Sequence, residues 1–218
     1  MLRNVAFALV GVVAVSAVAW GALKYARSPL FEPTGPSVPV SSSQESPRMI
    51  SAKIAESKSG KVAQATFGAG CFWGVESTFR AVPGVLSTWV GFAGGNTENP
   101  TYEDVCYSNT NHAEVVHLEY DPEQVTFEKL VNVFFDNHNP TTLNRQGPDV
   151  GSQYRSVVFY HDEAQRTAAD AAKRQVAEGG RWAGRSVVTQ IAPFTKFYPA
   201  EDYHQQYNEK RGRTHCHN

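Results

Sequence analysis

Cys71 is the residue around which chemistry could be built. It stands in the stretch Thr66-Phe67-Gly68-Ala69-Gly70-Cys71-Phe72-Trp73-Gly74. Val62 to Phe67 reads as a short strand, Gly68 and Gly70 permit a tight turn, and Cys71 to Arg80 carries an amphipathic helical pattern. Cys71 is therefore predicted in the first turn of a helix. Unpaired N–H groups and the positive end of the helix dipole favour an anion there. A thiol so placed ionises more readily, and the thiolate is the nucleophilic form. Phe72 and Trp73 would wall an apolar pocket beside the sulfur. The competing reading is a small buried core residue, the ordinary role of a free cysteine.

A nucleophilic Cys71 needs a proton donor, and Glu114 is the candidate. It opens the apolar stretch Ala113 to Tyr120, and by alternation it shares a face with Val116 and Leu118. A carboxyl on a buried face stays protonated or finds a partner, and a raised pKa makes it a donor at neutral pH. The alternative is an edge-strand glutamate facing water. Tyr102 and Tyr154 lie beside loops, and a phenol can hold a polar oxygen without adding charge. Cys216 sits in a polar tail, His215-Cys216-His217. A tail thiol is suited to reach another sulfur and form a disulfide. Three ligands so close in sequence make a poor tetrahedral metal site. Cys106 reads as structural.

These residues must be positioned by a folded part that begins near Val62. Val85 to Phe92 and Ala113 to Tyr120 read as strands, and Thr101 as a possible helix cap. Thr126 to Asn137 is a helix. Its Phe127, Leu130, Val131, Phe134 and Phe135 share one face, which is core. The polar stretch Asn139 to Ser152 is too long for a mere connector and reads as functional. Gln153 to Tyr160 is a strand, and Asp162 opens a helix to about Glu178, with Gln165 completing a capping pair. Ser186 to Ala192 is a last strand and Ala200 to Lys210 a last helix. Strands and helices alternate with some neighbours out of turn. The expected fold is α+β, a mixed α/β sandwich in which one mixed sheet is flanked by helices.

The 218 residues include 41% hydrophobic and 11% aromatic side chains, enough for one core. A net charge of -1 leaves no electrostatic footprint for nucleic acid. Three cysteines without a C-x-x-C pair argue against a disulfide scaffold and against zinc. No bound cofactor or metal is expected, and nothing suggests more than a monomer. Ahead of the domain, Val5 to Leu23 is apolar and uncharged, close to the length of a membrane span. It reads as an anchor, with a cleaved signal peptide ending near Ala17-Val18-Ala19 as the alternative. Residues 1–27 are thus expected to place the domain at or beyond a membrane, on the periplasmic rather than the cytoplasmic side. Residues 28–61 are Pro- and Ser-rich and expected to be a disordered linker. Residues 62–218 form the catalytic domain.

The motifs of this domain resemble the peptide methionine sulfoxide reductase A family. The resemblance is carried by Gly70-Cys71-Phe72-Trp73-Gly74, Gly91-Phe92-Ala93-Gly94-Gly95, Asn99-Pro100-Thr101-Tyr102 and His112-Ala113-Glu114-Val115-Val116. Asn144 to Ser156 and Ala200-Glu201-Asp202-Tyr203-His204-Gln205-Gln206-Tyr207 continue it, so that it covers Val62 to Cys216. Asn111 stands where the family commonly has Gly, and Asn tolerates the left-handed conformation best. Asn139 stands where an Asp is usual, and Phe92 replaces a common Tyr.

The resemblance implies reduction of the S epimer of methionine sulfoxide, free or in oxidised proteins. By that likeness Cys71 attacks the sulfoxide sulfur, Glu114 protonates the departing oxygen, and Tyr102 and Tyr154 hydrogen-bond it. Phe72 and Trp73 hold the substrate methyl, and Asp149 shapes the pocket. Cys71 is left as a sulfenic acid, and Cys216 matches the resolving cysteine. An external thioredoxin-type dithiol then reduces the Cys71–Cys216 disulfide. Two other classes compete. A thiol peroxidase or redox sensor would not need Tyr102, Glu114 and Tyr154, and a non-catalytic binding domain would survive loss of the Cys71 thiol.

Overall fold

The computed structural model describes residues 56–213. Its elements run β1 (Ala63–Ala69), α1 (Phe72–Arg80), β2 (Val85–Ala93), α2 (Tyr102–Tyr107), β3 (Ala113–Tyr120), α3 (Phe127–Asp136), β4 (Arg145–Gln146) and β5 (Asp149–Val150). They continue with β6 (Ser156–Tyr160), α4 (Glu163–Glu178), β7 (Gln190–Pro193), β8 (Phe197–Pro199) and α5 (Tyr207–Lys210). One sheet has the order β7-β6-β1-β3-β2-β8, and β4 and β5 form a separate hairpin. In the large sheet β6 and β7 are parallel and the other neighbours antiparallel. This is the α+β, helix-flanked mixed sheet that the sequence predicts.

Alternation sorts the sheet's side chains onto two faces. Ala65, Phe67, Val116, Leu118 and Val158 pack with Phe79 of α1, Phe127, Leu130 and Phe134 of α3, and Ala169 of α4. Phe67 is the hub, its ring stacking on Phe79 at 4.9 Å and on Phe134 at 5.4 Å. On the opposite face Ala113, Val115, Val157 and Phe159 are covered by Phe194 and Phe197. The helix starts use the predicted chemistry. Thr101 and Asp104 form a capping box on α2, and Asp162 accepts from Gln165 N at 2.8 Å at the start of α4. Asn111 adopts φ 54°, the left-handed conformation that Asn tolerates.

Several boundaries differ from the sequence reading. Residues 152–154 form a 3-10 turn, so Tyr154 precedes β6 instead of lying in it. The expected strand from Ser186 shortens to β7, β8 was not foreseen, and the expected last helix is mostly turn before α5. Edge strands of three or four residues carry too little alternation to be read from sequence. The polar stretch 139–152 contains the β4–β5 hairpin.

The expected membrane-anchored or exported location is corrected. Among the described residues no helix is long and apolar enough to cross a membrane. The longest, α4, has 16 residues and carries charge along its length, whereas a span needs about 20 mainly apolar residues. The run Val5 to Leu23 that prompted the expectation lies outside the described residues. At the entry to the domain, Asp121 accepts from Ser59 Oγ at 2.6 Å and from the backbone N–H groups of Lys58 and Ser59.

Candidate active site

The register of β1 on β3 pairs Phe67 with Val116, so the end of β1 meets the start of β3. Cys71 follows β1 across the turn at Gly70 and stands as the N-cap of α1, one residue ahead of the helical turn expected for it. Gly70 has φ 96°, and a β-carbon there would lie 2.6 Å from Gln146 Cγ. The turn therefore needs glycine twice over, for its backbone and for the Gln146 side chain packed on it. Gln146 is held in turn by Asn139, whose N–H donates to Oε1 at 3.1 Å and whose carbonyl accepts from Nε2 at 3.3 Å. The loop 139–151 is thereby fastened beside the Cys71 turn.

Glu114 lies on the same face as Val116 and Leu118, as its alternation predicts. Its strand is central, between β1 and β2, and leaves it 1% exposed. Its Oε2 accepts from Phe72 N at 3.1 Å, the first backbone N–H of α1. Burial pushes the carboxyl up to about 8; that hydrogen bond opposes the shift, and the charge of Asp149 on β5 adds to it. With Oε2 accepting, the proton of the neutral acid sits on Oε1.

Tyr102 opens α2 and Tyr154 closes the 3-10 turn. Both phenols are half-buried, and burial holds both well above the usual phenol range, so they remain hydrogen-bond donors. The charges of Glu114, Cys106, Asp149 and Cys71 push the Tyr154 phenol the same way as its burial. The ring of Phe72 lies 6.3 Å from those of Trp73 and Tyr102 and 5.9 Å from that of Phe92. Seven of the residues singled out in the sequence thus converge: Cys71, Phe72, Trp73, Tyr102, Glu114, Asp149 and Tyr154. Cys216 lies outside the described residues.

Three neighbours were not singled out. Cys106, read as structural, lies beside the Tyr102 phenol, and its thiol is pushed up mainly by burial. Its spacing of four from Tyr102 on one helix was the available signal. His204 and Gln146 reach the site across long sequence separations, which no local pattern reports. Among the described residues no group of three or more His, Cys, Asp or Glu is placed to hold a metal.

The class that suits this fold and site is an oxidoreductase working through a cysteine thiol. Residues 63–218 match the family model described as peptide methionine sulfoxide reductase. A peptide methionine sulfoxide reductase MsrA of Methanothermobacter thermautotrophicus is 60% identical over 153 residues, 70% of this chain and 90% of the relative. Among solved structures, reduced Mxr1 from Saccharomyces cerevisiae superposes with a TM-score of 0.67 at 34% identity, covering 74% of this chain and 94% of that one. Methionine sulfoxide reductase A of Corynebacterium diphtheriae gives a TM-score of 0.63 at 39% identity, over 71% and 77% of the two chains. The chain belongs to the peptide methionine sulfoxide reductase family. It is an MsrA-type oxidoreductase that reduces methionine sulfoxide.

Proposed function

We propose that the chain reduces the S epimer of methionine sulfoxide, free or in oxidised proteins, with Cys71 as nucleophile and Glu114 as proton donor. The observation that carries this reading is the Glu114 carboxyl, buried beside the start of the Cys71 helix and protonated at neutral pH. Cys71 attacks the sulfoxide sulfur, and Glu114 delivers its proton to the sulfoxide oxygen. Tyr102 and Tyr154 donate hydrogen bonds to that oxygen, stabilising the charge that gathers on it. Phe72 and Trp73 receive the methyl group, and Asp149 borders the pocket. The oxygen ends on Cys71 as a sulfenic acid, so the substrate sulfur gains two electrons and the Cys71 sulfur loses two.

Cys216 then displaces water from the sulfenic acid to form a Cys71–Cys216 disulfide. The described chain stops at Arg213 with a Schellman turn: Gly212 has φ 64°, Gly212 N donates to Glu209 O, and Arg213 N to Asn208 O. Asn208 Nδ2 in turn donates to Trp73 O at 3.0 Å. Helix α5 is thereby fastened to α1 at Trp73, two positions from Cys71, and Cys216 follows Arg213 by three positions, which supports it as the partner thiol. The reductant is an external thioredoxin-type dithiol, because the chain has three cysteines and no C-x-x-C pair of its own.

Single turnover without reductant tests the scheme. The S epimer of a methionine sulfoxide peptide should be consumed, the R epimer left, and a Cys71–Cys216 bridge found by mass spectrometry. A Cys71–Cys106 bridge, or Cys71 left as sulfenic acid, would remove Cys216 from the scheme. Consumption of neither epimer would overturn the reading.

A further inference from the structure

Tyr203 is a large aromatic side chain left in water beside the pocket. It is 58% exposed, yet its ring packs on that of His204 at 4.1 Å. His204 is buried, and its ring lies 4.4 Å from that of Tyr102 and 5.2 Å from that of Phe72. The rings thus climb from the pocket to the surface, with Tyr203 as the outermost.

The backbone that carries Tyr203 is tied down on both sides. His204 N donates to Glu201 O at 2.9 Å and closes the turn on which Tyr203 stands. Ahead of it, Glu201 Oε1 accepts from Tyr102 N at 3.1 Å. Behind it, the Gln205 amide continues the hydrogen bonding of β2: Oε1 accepts from Val90 N at 2.9 Å, and Nε2 donates to Val90 O at 2.8 Å. An exposed aromatic on a fixed backbone has little freedom to lose on binding, so its face offers contact area at low entropic cost. A methionine sulfoxide side chain that enters the pocket leaves the rest of its peptide at the mouth. An extended chain sends alternate side chains the same way, about 7 Å apart. The residue two positions from the sulfoxide therefore turns toward the enzyme surface, as the sulfoxide does.

We propose that Tyr203 is a subsite for the peptide around the sulfoxide, a platform on which an aromatic side chain two positions from the methionine sulfoxide stacks. Tyr203 then selects sequence context, while the pocket selects the oxidised side chain. Neither its ring nor its hydroxyl needs to touch the reacting atoms. The subsite rests on the reading that Phe72 and Trp73 receive the substrate methyl, which fixes where the peptide emerges.

The test uses the full chain with dithiothreitol as reductant, so that no partner protein enters the assay. Blocked glycine peptides carry one S-methionine sulfoxide, with Trp or Gly two positions before or after it. Trp should raise kcat/KM about three- to tenfold over Gly, the scale of one aromatic pair, and mainly through KM. That ratio should persist in Tyr203→Phe and fall to about one in Tyr203→Ser. Any loosening of His204 in Tyr203→Ser slows both peptides alike and cancels in the ratio. Val62 is 54% exposed but precedes β1, whereas Cys71 follows it, so Val62→Ser should keep the ratio. A wild-type ratio of one, a ratio that survives in Tyr203→Ser, or one that Val62→Ser also abolishes would each overturn the proposal. If Tyr203→Ser does not fold, Cys71→Ser protein with the Trp peptide decides: a nuclear Overhauser contact between the Trp and Tyr203 rings is expected, and its absence overturns the subsite. Brisk reduction of both peptides at one rate would remove the subsite alone. Reduction of no sulfoxide would remove the functional reading and the subsite with it.

Discussion

The backbone N–H of Phe72 donates to Glu114 Oε2 at 3.1 Å. The bond joins the first residue of the Cys71 helix to the buried carboxyl, so nucleophile and acid are set by one contact between α1 and β3. It also fixes which carboxyl oxygen is free to carry the proton. Movement of the helix start would disturb both groups together.

The first prediction concerns proton delivery. Glu114→Gln keeps an acceptor for Phe72 N but has no acidic proton. The single-turnover rate with S-sulfoxide should fall by about 10²- to 10⁴-fold. In wild-type protein the rate should decline as pH rises past about 8, where the carboxyl loses its proton. Stopped-flow rates for Glu114→Gln should lack that decline. A wild-type rate that stays level through pH 9 would exclude Glu114 as the donor.

Glu114 also has a linked effect on stability. Its folded pKa is raised, so between the unfolded value of 4.5 and about 8 the folded state holds a proton that the unfolded chain has released. Its contribution to stability is present below 4.5 and lost as pH rises through about 8. Glu114→Gln should therefore be more stable than wild type at pH 8.5, by up to a few kcal/mol, and lose that advantage toward pH 4.5. Urea unfolding at both pH values measures the difference. An advantage independent of pH would contradict the assigned shift.

His117 has the opposite sign. Burial lowers it to about 4, assisted by the charge of His161, and Thr66 Oγ1 bridges the two rings at 2.9 Å each. Between the ordinary 6.5 and about 4 the unfolded chain binds the extra proton, so this group's stability is lost as pH falls. His117→Phe suits the aromatic contacts to Phe194 and Phe197 and leaves Thr66 bonded to His161. Relative to wild type it should gain up to a few kcal/mol on going from pH 7 to pH 4.5. Parallel denaturant titrations check this, and a wild-type slope retained in the variant would refute it.

The turn before Cys71 supplies a further prediction. Gly70→Ala would force a β-carbon into a left-handed backbone position and against Gln146. The variant should lose roughly 1–3 kcal/mol of stability. The rate of Cys71 alkylation should change as well, because the turn aims the sulfur. Thermal melts together with iodoacetamide kinetics would detect both, and a fully wild-type profile would show that the turn does not position Cys71.

Local sequence determined the elements whose pattern is long and regular. The five-residue apolar stripe of α3, the bounds of β3 and the caps at Thr101 and Asp162 could all be read because helix and strand periods are local properties. The face on which Glu114 lies follows from the same rule. Its depth does not, because burial to 1% depends on β3 being central in the sheet, and strand order is set by contacts between distant segments. The resemblance carried by the motifs supplied the chemistry. Tertiary structure alone decided that Gln146 seals the Gly70 turn and that His204 accepts from Trp73. Gln146 and His204 lie 76 and 131 positions from the residues they touch. No periodicity spans such distances, and only the folded chain brings these groups within a few ångströms.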